Sequence, residues 1–360
     1  MILITGSTGY LGQKIAEKYL AESEHEVHLW LHASNEEEFA AKWAKVSKAL
    51  GESPRLSYSY GELRDEKPFR RVDASRVTKI IHSAAVTRFN VDEETAENVN
   101  VAGARKIMEF AETCPGLQAF SLVSSLYASG MRKGYIAEEF LDDSAGFANH
   151  YERSKWKCEE LLRTRFNALP WRIFRVATIV ADDDSGKVTQ QNAIHNTVKL
   201  CFYGLVSLLP GSPETPVYLV TGEFAARSCF EATEKLEAKR IFNVCHSTDE
   251  AITVERMIDA AYEAFRHDAD YRSRKLLKPL FTDAESFDTL TTSAMAFGGA
   301  VLSQAVSTIA PFGRQLFIAK EIRDQAIKRE LESYRAPDHF ELVKSMCCHL
   351  VKTRFGRAVQ

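Results

Sequence analysis

Short apolar runs alternate with longer stretches of helical periodicity through the first half of the chain. The candidate strands are 1–5, 26–32, 55–60, 78–82, 118–124, 171–180 and 240–244. The helical patterns span 11–22, 35–50, 93–113 and 149–168. Such alternation is typical of a parallel sheet covered by helices on both faces, and right-handed crossovers make that sheet doubly wound. We therefore predict an α/β fold.

The regular alternation loosens after residue 185. Glycine and proline then mark loops at Gly204, Pro210, Gly211, Pro213 and Pro216. From about residue 250 the pattern is mostly helical, and it closes with two amphipathic stretches, 314–334 and 338–352, the second preceded by the N-cap candidate Asp338. We predict a core at 1–185 with a returning strand at 240–244, a smaller substrate-binding region interleaved with it at 186–290, and a helical C-terminal extension at 291–360.

One stretch, 289–313, carries no charged residue. Its many hydroxyl and amide side chains make it too polar for a membrane span of about 20 residues. A contiguous apolar surface there would nevertheless be costly to leave in water. We predict that it forms part of a hydrophobic substrate channel or a lid, with at most peripheral membrane contact.

Charge and cysteine content narrow the classes of ligand and compartment. The 360 residues include 46 Lys+Arg against 49 Asp+Glu, a net charge of −3. This balance gives no field that would recruit nucleic acid, so a small ligand is the better expectation. The 7 cysteines are scattered without zinc-ligand spacing, which favours reduced thiols in a cytoplasmic protein and no metal site. Cys347 and Cys348 adjoin in a helical pattern, where we expect a packed pair rather than a redox pair.

The first residues of the chain do not have the pattern of a targeting signal. An apolar strand, Ile2-Leu3-Ile4, follows the first residue directly. A signal peptide needs a basic segment and a longer apolar segment before its cleavage site. No targeting segment is therefore expected here.

Closely spaced glycines follow the first strand and open a helical run. Gly6 suits a tight turn, Gly9 lets backbone amides approach a pyrophosphate, and Gly12 permits close packing of the helix. The helix N-terminus adds positive potential. This setting predicts a dinucleotide site in a Rossmann-type fold. The residues of that site are Gly6, Ser7, Thr8, Gly9, Tyr10, Leu11 and Gly12.

The end of the second strand bears on which dinucleotide binds. An acidic residue there would accept hydrogen bonds from the ribose 2′-hydroxyl, and none is present. His32 and Ser34 could donate to a 2′-phosphate instead, so we predict NADP(H) in preference to NAD(H). Two residues after the third strand, Glu62 and Leu63, are expected to border the adenine. Small residues after the fourth strand allow the cofactor to lie close: Ser83, Ala84 and Ala85.

Tyr151 and Lys155 lie one helical turn apart on the same face of a predicted helix. An ammonium beside a phenol lowers the pKa of the phenol, as acid–base chemistry at a carbonyl or an alcohol requires. The same spacing also occurs at Tyr10/Lys14 and at Tyr271/Lys275. Only the Tyr151 pair opens a helix between the fifth and sixth predicted strands and also has a hydroxyl, Ser124 or Ser125, at the end of the preceding strand. We therefore predict that the catalytic residues lie there.

In chain order, these motifs resemble the extended short-chain dehydrogenase/reductases over about residues 1–250. The segments that carry the resemblance are 5–12, 82–85, 98–103, 124–125, and Tyr151 with Lys155. The resemblance implies that Tyr151 donates or accepts a proton and that Lys155 binds the nicotinamide ribose and lowers the tyrosine pKa. It also implies that Ser125, five residues before Gly130, steadies the substrate oxygen.

Within that superfamily the chain looks most like the fatty acyl-CoA reductase and thioester reductase branch. Residues 154–159 resemble its Ser-Lys-Trp…Glu segment, and 175–186 resemble its Arg-Pro-x-x-Ile-x-Gly-Asp…Gly loop. Val176 and Ala181 depart from the proline and glycine of that loop. The resemblance also implies that Asn100 and Thr178 lie at the cofactor site and that the C-terminal extension suits an acyl channel.

Three functions remain open. We favour NADPH-dependent reduction of a hydrophobic acyl thioester, carried on coenzyme A or an acyl-carrier protein, to an aldehyde or an alcohol. The second is a sterol-type or nucleotide-sugar dehydrogenase, epimerase or dehydratase, although the uncharged 289–313 stretch favours a lipid over a sugar nucleotide. The third is an NADP-sensing binding protein without turnover, which the intact Tyr151, Lys155 and Ser125 disfavour. The sequence leaves the acyl group, its carrier and a homodimer open.

Overall fold

A seven-stranded parallel sheet forms the centre of the computed structural model, which describes residues 1–63, 65–299, 303, 306, 310 and 312–356. Its strands are β1 (Ile2–Thr5), β2 (Val27–His32), β3 (Leu56–Gly61), β4 (Lys79–His82), β5 (Ala119–Ser125), β6 (Trp171–Val176) and β7 (Arg240–Val244). Their order is β3-β2-β1-β4-β5-β6-β7, so the strand order reverses at β1. A parallel sheet with this order is doubly wound, and the predicted Rossmann-type α/β fold is confirmed.

Helices cover both faces of the sheet and continue into the C-terminal half. They are α1 (Tyr10–Glu22), α2 (Glu36–Leu50), α3 (Ala102–Glu112), α4 (His150–Thr164), α5 (Ala193–Phe202), α6 (Gly222–Lys235), α7 (Val254–Phe265), α8 (Ala269–Arg274), α9 (Ala284–Phe297), α10 (Ala326–Glu330) and α11 (His339–Lys352). A helical turn, Glu93–Thr95, and a π-helical segment, Ala96–Val101, lead directly into α3. Short 3₁₀ turns occur at Ala74–Arg76, Leu126–Ser129, Arg314–Phe317 and Arg354–Gly356.

Among the described residues, four short strand pairs lie outside the central sheet. They are Thr178–Ala181 with Leu219–Thr221, Leu208–Pro210 with Leu280–Thr282, Gly134–Tyr135 with Lys320–Glu321, and Pro216–Val217 with Ile252–Thr253. The first three pairs are parallel and the last is antiparallel. They join segments distant in sequence, which brings the second half of the chain against the carboxyl edge of the sheet.

The apolar clusters in the described part of the chain pack against different elements. Residues such as Ile4 and Phe174 pack between the sheet and its helices. A separate cluster outside the sheet includes Phe202, Phe265 and Met346 and joins α5, α7 and α11. Burial of apolar surface stabilises a fold by about 25 cal/mol per Å². This outer cluster therefore gives the C-terminal half of the chain an apolar core of its own.

The predicted strand 171–180 is two strands. β6 ends at Val176, and Thr178–Ala181 pairs with Leu219–Thr221 instead of with the central sheet. The Ala177 amide still donates to Val244, the last residue of β7, at 3.1 Å, whereas Thr178 donates to Tyr218 at 3.3 Å. The strand with which the chain pairs changes at the point where β7 ends. A continuous apolar run in the sequence does not indicate that change.

The amphipathic stretch 314–334 is not one helix. It contains the 3₁₀ turn Arg314–Phe317, the strand Lys320–Glu321 and the short helix α10. The prediction was wrong because Ile322 and Ile327 are buried beside the sheet while Leu316 packs in the outer cluster. The second stretch is helical as predicted: α11 begins after Asp338, whose carboxylate accepts from the amides of Phe340 and Glu341.

Only part of the uncharged stretch 289–313 falls within the described residues. α9 covers its beginning, while 300–302, 304, 305, 307–309 and 311 lie outside them. No helix within the described part of the chain is long and apolar enough to cross a membrane. Cys347 is buried and Cys348 partly so, and burial raises the pKa of both thiols, as expected of a packed pair.

Candidate active site

A cleft of about 660 Å³ opens at the carboxyl ends of the central strands. Ligands of open α/β sheets bind at this edge, where the strand order reverses. The cleft collects residues from the glycine turn, the loops after β4 and β6, the end of β5 and the start of α4. The predicted site residues that line it are Gly9, Tyr10, Leu11, Ser83, Ala85, Ser125, Tyr151, Lys155 and Thr178.

The turn between β1 and α1 has the geometry of a phosphate cradle. Gly6 has φ +81°, and a Cβ atom there would lie 2.5 Å from the Ala84 amide nitrogen. A Cβ atom on Gly12 would lie 2.4 Å from the Gly6 carbonyl oxygen. The Ser7 hydroxyl is buried without a hydrogen-bond partner among the described residues. Small residues, an unpartnered donor and a helix N-terminus together fit a dinucleotide pyrophosphate.

A side-chain hydrogen bond of Tyr10 connects this turn to Asp182, which follows the strand Thr178–Ala181. The Tyr10 hydroxyl donates to Asp182 Oδ1 at 2.8 Å, and the same oxygen accepts from Thr189 Oγ1 at 2.9 Å. Burial and the Asp182 carboxylate raise the pKa of Tyr10. This phenol is therefore held protonated as a structural donor. Asp182 has a role here that sequence reasoning did not assign.

Tyr151 lies in the first turn of α4 and is 7 % exposed. Lys155, one turn later, donates to the Val123 carbonyl at 2.9 Å. The Ser125 hydroxyl caps the turn after β5 and accepts from the Tyr127 amide at 3.2 Å. The same cleft is lined by Tyr151, Lys155 and Ser125. Tyr271 packs instead in the outer apolar cluster.

The two candidate serines have different partners. Ser124 donates to Glu159 Oε1 at 2.6 Å. Glu159 is in turn bound by the buried guanidinium of Arg175, with a closest approach of 2.6 Å. The Ser124 hydroxyl is thus committed to a buried network. The preference for Ser125 as the substrate-facing hydroxyl stays a prediction, and this geometry favours it.

Burial dominates the pKa of the catalytic candidates. It raises the pKa of Tyr151 to about 12, and the hydrogen bond with Ser125 opposes that rise. Burial lowers the pKa of Lys155, and electrostatic interactions with Cys158 and Glu159 oppose that shift. The sequence predicts that Lys155 lowers the tyrosine pKa, but in the structure burial of the phenol has the larger effect and Lys155 donates to the Val123 carbonyl. The phenol is protonated at neutral pH, the state from which it can donate.

Asn100 and Leu63 lie behind the cleft instead of lining it. Asn100 accepts from the Val86 amide at 2.8 Å and donates to Ser154 Oγ at 2.9 Å. It therefore joins the loop after β4 to the helix of Tyr151. Leu63 packs near Gly103 of α3, where a Cβ atom would approach it to 3.2 Å. Direct contact of these two residues with the cofactor stays a prediction.

The residues expected around the adenosine ribose form a hydrogen-bonded group. His32 Nε2 lies 2.6 Å from Glu62 Oε1, and Ser34 Oγ donates to Glu62 Oε2 at 2.8 Å. Sequence reasoning found no acidic residue at the end of β2. The structure brings one there from the end of β3, because β2 and β3 are paired with His32 opposite Gly61. Glu62 therefore competes for the donors that a 2′-phosphate would need.

Aromatic rings form the wall of the cleft beside Tyr151. The Phe89 ring centroid lies 5.5 Å from that of Tyr151, 5.4 Å from that of Tyr127 and 5.8 Å from that of Phe312. Tyr127 also contacts Thr178 through their hydroxyls at 3.0 Å. Sequence reasoning missed these three rings, although Tyr127 follows Ser125 by two residues. Phe312 belongs to the uncharged stretch 289–313 and brings that stretch to the cleft.

The family described as Male sterility protein matches residues 4–229. Over 160 residues the chain is 31% identical to fatty acyl-CoA reductase 2, chloroplastic, of Arabidopsis thaliana, which covers 38% of this chain and 26% of the relative. The chain thus spans about a quarter of the length of that curated relative.

Comparison with solved structures shows a shared fold. The terminal R domain from the myxalamid PKS-NRPS biosynthetic pathway superposes with a TM-score of 0.77 and 17% identity, over 100% of this chain and 92% of that chain. The UDP-glucuronic acid 4-epimerase from Bacillus cereus, in complex with NAD, gives 0.66 and 16% over 98% and 99%. Reductase and epimerase chains share this architecture, so the site's own residues must distinguish their chemistries.

Proposed function

Because the chain belongs to the male sterility protein family, within the extended short-chain dehydrogenase/reductases, we propose that it reduces a hydrophobic acyl thioester. The observation that carries this proposal is the apolar wall of Phe89, Tyr127 and Phe312 beside a buried, protonated Tyr151. A sugar nucleotide needs polar and cationic contacts around its reacting carbon. An acyl chain needs an apolar surface, which this wall offers.

The reacting carbonyl would lie between Tyr151 and Ser125. A reduced nicotinamide dinucleotide bound along the glycine turn would supply hydride there. As the carbonyl oxygen gains negative charge, Ser125 donates a hydrogen bond to it and Tyr151 transfers its phenolic proton to it. Loss of the thiol from the resulting hemithioacetal leaves an aldehyde. Reduction of that aldehyde to an alcohol would use the same two hydroxyls again.

NADPH is the proposed hydride donor. His32 and Ser34 can donate to a 2′-phosphate once Glu62 turns away from them, and their present bonds to Glu62 oppose that binding. A carboxylate at this position would equally accept from the 2′-hydroxyl of NADH. The relative affinities of the two cofactors therefore measure how readily Glu62 releases its two donors.

Coenzyme A and an acyl-carrier protein are the two proposed carriers of the acyl group. Purified protein, NADPH and a panel of acyl-CoA, aldehyde, sterol and sugar-nucleotide substrates test the function by the rate of NADPH oxidation. We expect the highest kcat/KM with an acyl thioester or its aldehyde. Turnover confined to sterols or sugar nucleotides would contradict the proposal. Tight NADPH binding without turnover of any of them would favour the sensing protein.

A further inference from the structure

Three polar side chains form a buried cluster next to the active site. Glu152 and Lys320 are 0 % and 5 % exposed, and Gln315 is 5 % exposed. Glu152 follows Tyr151 on α4. Gln315 and Lys320 belong to the C-terminal segment, residues 312–325. Gln315 Nε2 donates to Glu152 Oε1 at 2.9 Å. None of the three is among the residues that line the described cleft.

Glu152 holds the first turn of α4 together. Its carboxylate accepts from the Ala148 amide at 2.9 Å and from Asn149 Nδ2 at 2.9 Å. Its own amide donates to Asn149 Oδ1 at 3.0 Å, which caps the helix. Reciprocal bonds of this kind fix a helix start. Because Tyr151 lies in that turn, the direction of its phenol depends on Glu152.

Burial raises the pKa of Glu152 to about 7, and hydrogen bonds from Ala148 and Gln315 oppose that rise. The Lys320 ammonium also opposes that rise, and Arg132 in turn lowers the pKa of Lys320. The Glu152 carboxylate raises the pKa of both Tyr127 and Tyr151. A buried carboxyl is costly unless its hydrogen bonds are satisfied. The bond from Gln315 therefore contributes to keeping Glu152 in its capping position.

The same segment also holds the loop that leaves Ser125. Lys320 donates to the carbonyls of Gly130 and Arg132, and Gln315 Nε2 approaches the Gly130 carbonyl at 3.4 Å. The strand Lys320–Glu321 pairs with Gly134–Tyr135. Gly130 has φ +56°, and a Cβ atom there would lie 2.1 Å from the Gly146 carbonyl. This loop has little room to adjust by itself.

We propose that Gln315 and Lys320 are positioning residues, which fix Tyr151 and Ser125 relative to each other through Glu152 and Gly130. The C-terminal segment would then act on catalysis without touching the reacting atoms. Displacement of a catalytic group by about 1 Å can cost about 100-fold in rate. The proposal rests on the proposed function only for the choice of substrate used in the kinetic measurement.

Gln315→Leu removes the donor to Glu152 at similar volume. Gln325→Leu is the matched control, because Gln325 is 0 % exposed in the same segment and donates to Cys245 at 3.4 Å, away from α4. Hydrogen exchange of peptides covering 146–158 reports the helix start without any substrate. We expect faster exchange there in Gln315→Leu and wild-type exchange in Gln325→Leu.

In the kinetic arm, Gln315→Leu should lower kcat by about 10-fold while KM and cofactor Kd stay within about twofold. Because both act through one contact, adding Gln315→Leu to Glu152→Ala should lower kcat no further than Glu152→Ala alone. Gln315→Asn, which is one methylene too short to reach Glu152, tests the same contact if the leucine variant does not fold.

Unchanged exchange at 146–158 in Gln315→Leu would overturn the proposal. An equal loss of kcat in Gln325→Leu would overturn it too, since it would mark a general loss of packing. If wild-type protein turns over no thioester, the proposed function fails by itself. The exchange comparison still decides whether Gln315 fixes the helix of Tyr151.

Discussion

The cofactor side and the substrate side of the cleft are built in different ways. On the cofactor side, the glycine turn and the ends of β4 and β5 place their residues by the local course of the backbone. On the substrate side, Phe312 and Gln315 reach the cleft region from a segment more than 150 residues away from Tyr151 in sequence. A short motif can therefore record the first side but not the second.

This difference has a functional consequence. Local backbone geometry forms the glycine turn and places the proposed proton donor and hydroxyl in the cleft, and the proposed contacts from Gln315 and Lys320 then fix their relative position. Long-range packing brings Phe312 to the cleft, where we propose that it contacts the acyl chain. Variants on the two sides should therefore affect different kinetic constants, as four substitutions test.

Tyr151→Phe should have the largest effect. It removes the phenolic hydroxyl and leaves the ring packed, so kcat should fall by about 10²–10⁴-fold while cofactor affinity is retained. Steady-state kinetics and a cofactor titration followed by tryptophan fluorescence measure both quantities. Tyr271→Phe, a buried tyrosine of the outer cluster, is the control. If that control loses activity instead, the proton donor has been assigned to the wrong tyrosine.

Gly12→Ala should weaken cofactor binding by about 10–100-fold. Its Cβ atom would lie 2.4 Å from the Gly6 carbonyl, so the glycine turn must move, and overpacking of this kind costs about 1–3 kcal/mol. Gly116→Ala is matched, because a Cβ atom there meets nothing within 4 Å. Cofactor Kd and the melting temperature should both change in the first variant only. If Gly12→Ala bound the cofactor as tightly as the wild type, the assignment of the glycine turn as the phosphate-binding site would be wrong.

Glu62→Gln should change cofactor selection by about 10-fold in favour of NADPH, or about 1.4 kcal/mol. It removes the negative charge that accepts from His32 and Ser34 and would repel a 2′-phosphate. We expect wild-type protein already to bind NADPH more tightly than NADH. Fluorescence titration of both cofactors in both proteins gives the ratio. Tighter binding of NADH to the wild type would reverse the predicted preference.

Phe312→Ala should have the smallest effect, a few-fold change confined to substrate selection. In the wild type, kcat/KM should rise with acyl length from butyryl to palmitoyl thioesters, since each buried methylene contributes up to about 0.8 kcal/mol. The variant should flatten that rise. Phe297→Ala is the control, because Phe297 is 89% exposed and lines no part of the described cleft. An unchanged slope in Phe312→Ala would remove this ring from the acyl-binding surface.

The sequence predicted the sheet, the glycine turn and the pairing of Tyr151 with Lys155, because each follows from local periodicity or spacing, whereas the choice of Ser125 over Ser124 came from the family resemblance. It did not predict the end of β6 at Val176, since that depends on where β7 stops. It also placed His32 and Glu62 in separate roles, although strand pairing brings them together. The aromatic wall could not be predicted, because Phe89 and Phe312 meet only in the folded chain.

The stoichiometry of thiol release tests the proposed thioester reduction most directly. Wild-type protein is incubated with NADPH and palmitoyl-CoA, and free thiol is counted against NADPH oxidised. We predict that one thiol is released per NADPH oxidised if reduction stops at the aldehyde. If reduction continues to the alcohol, one thiol is released per two NADPH oxidised. NADPH oxidation without thiol release, or thiol release that does not require NADPH, would contradict it.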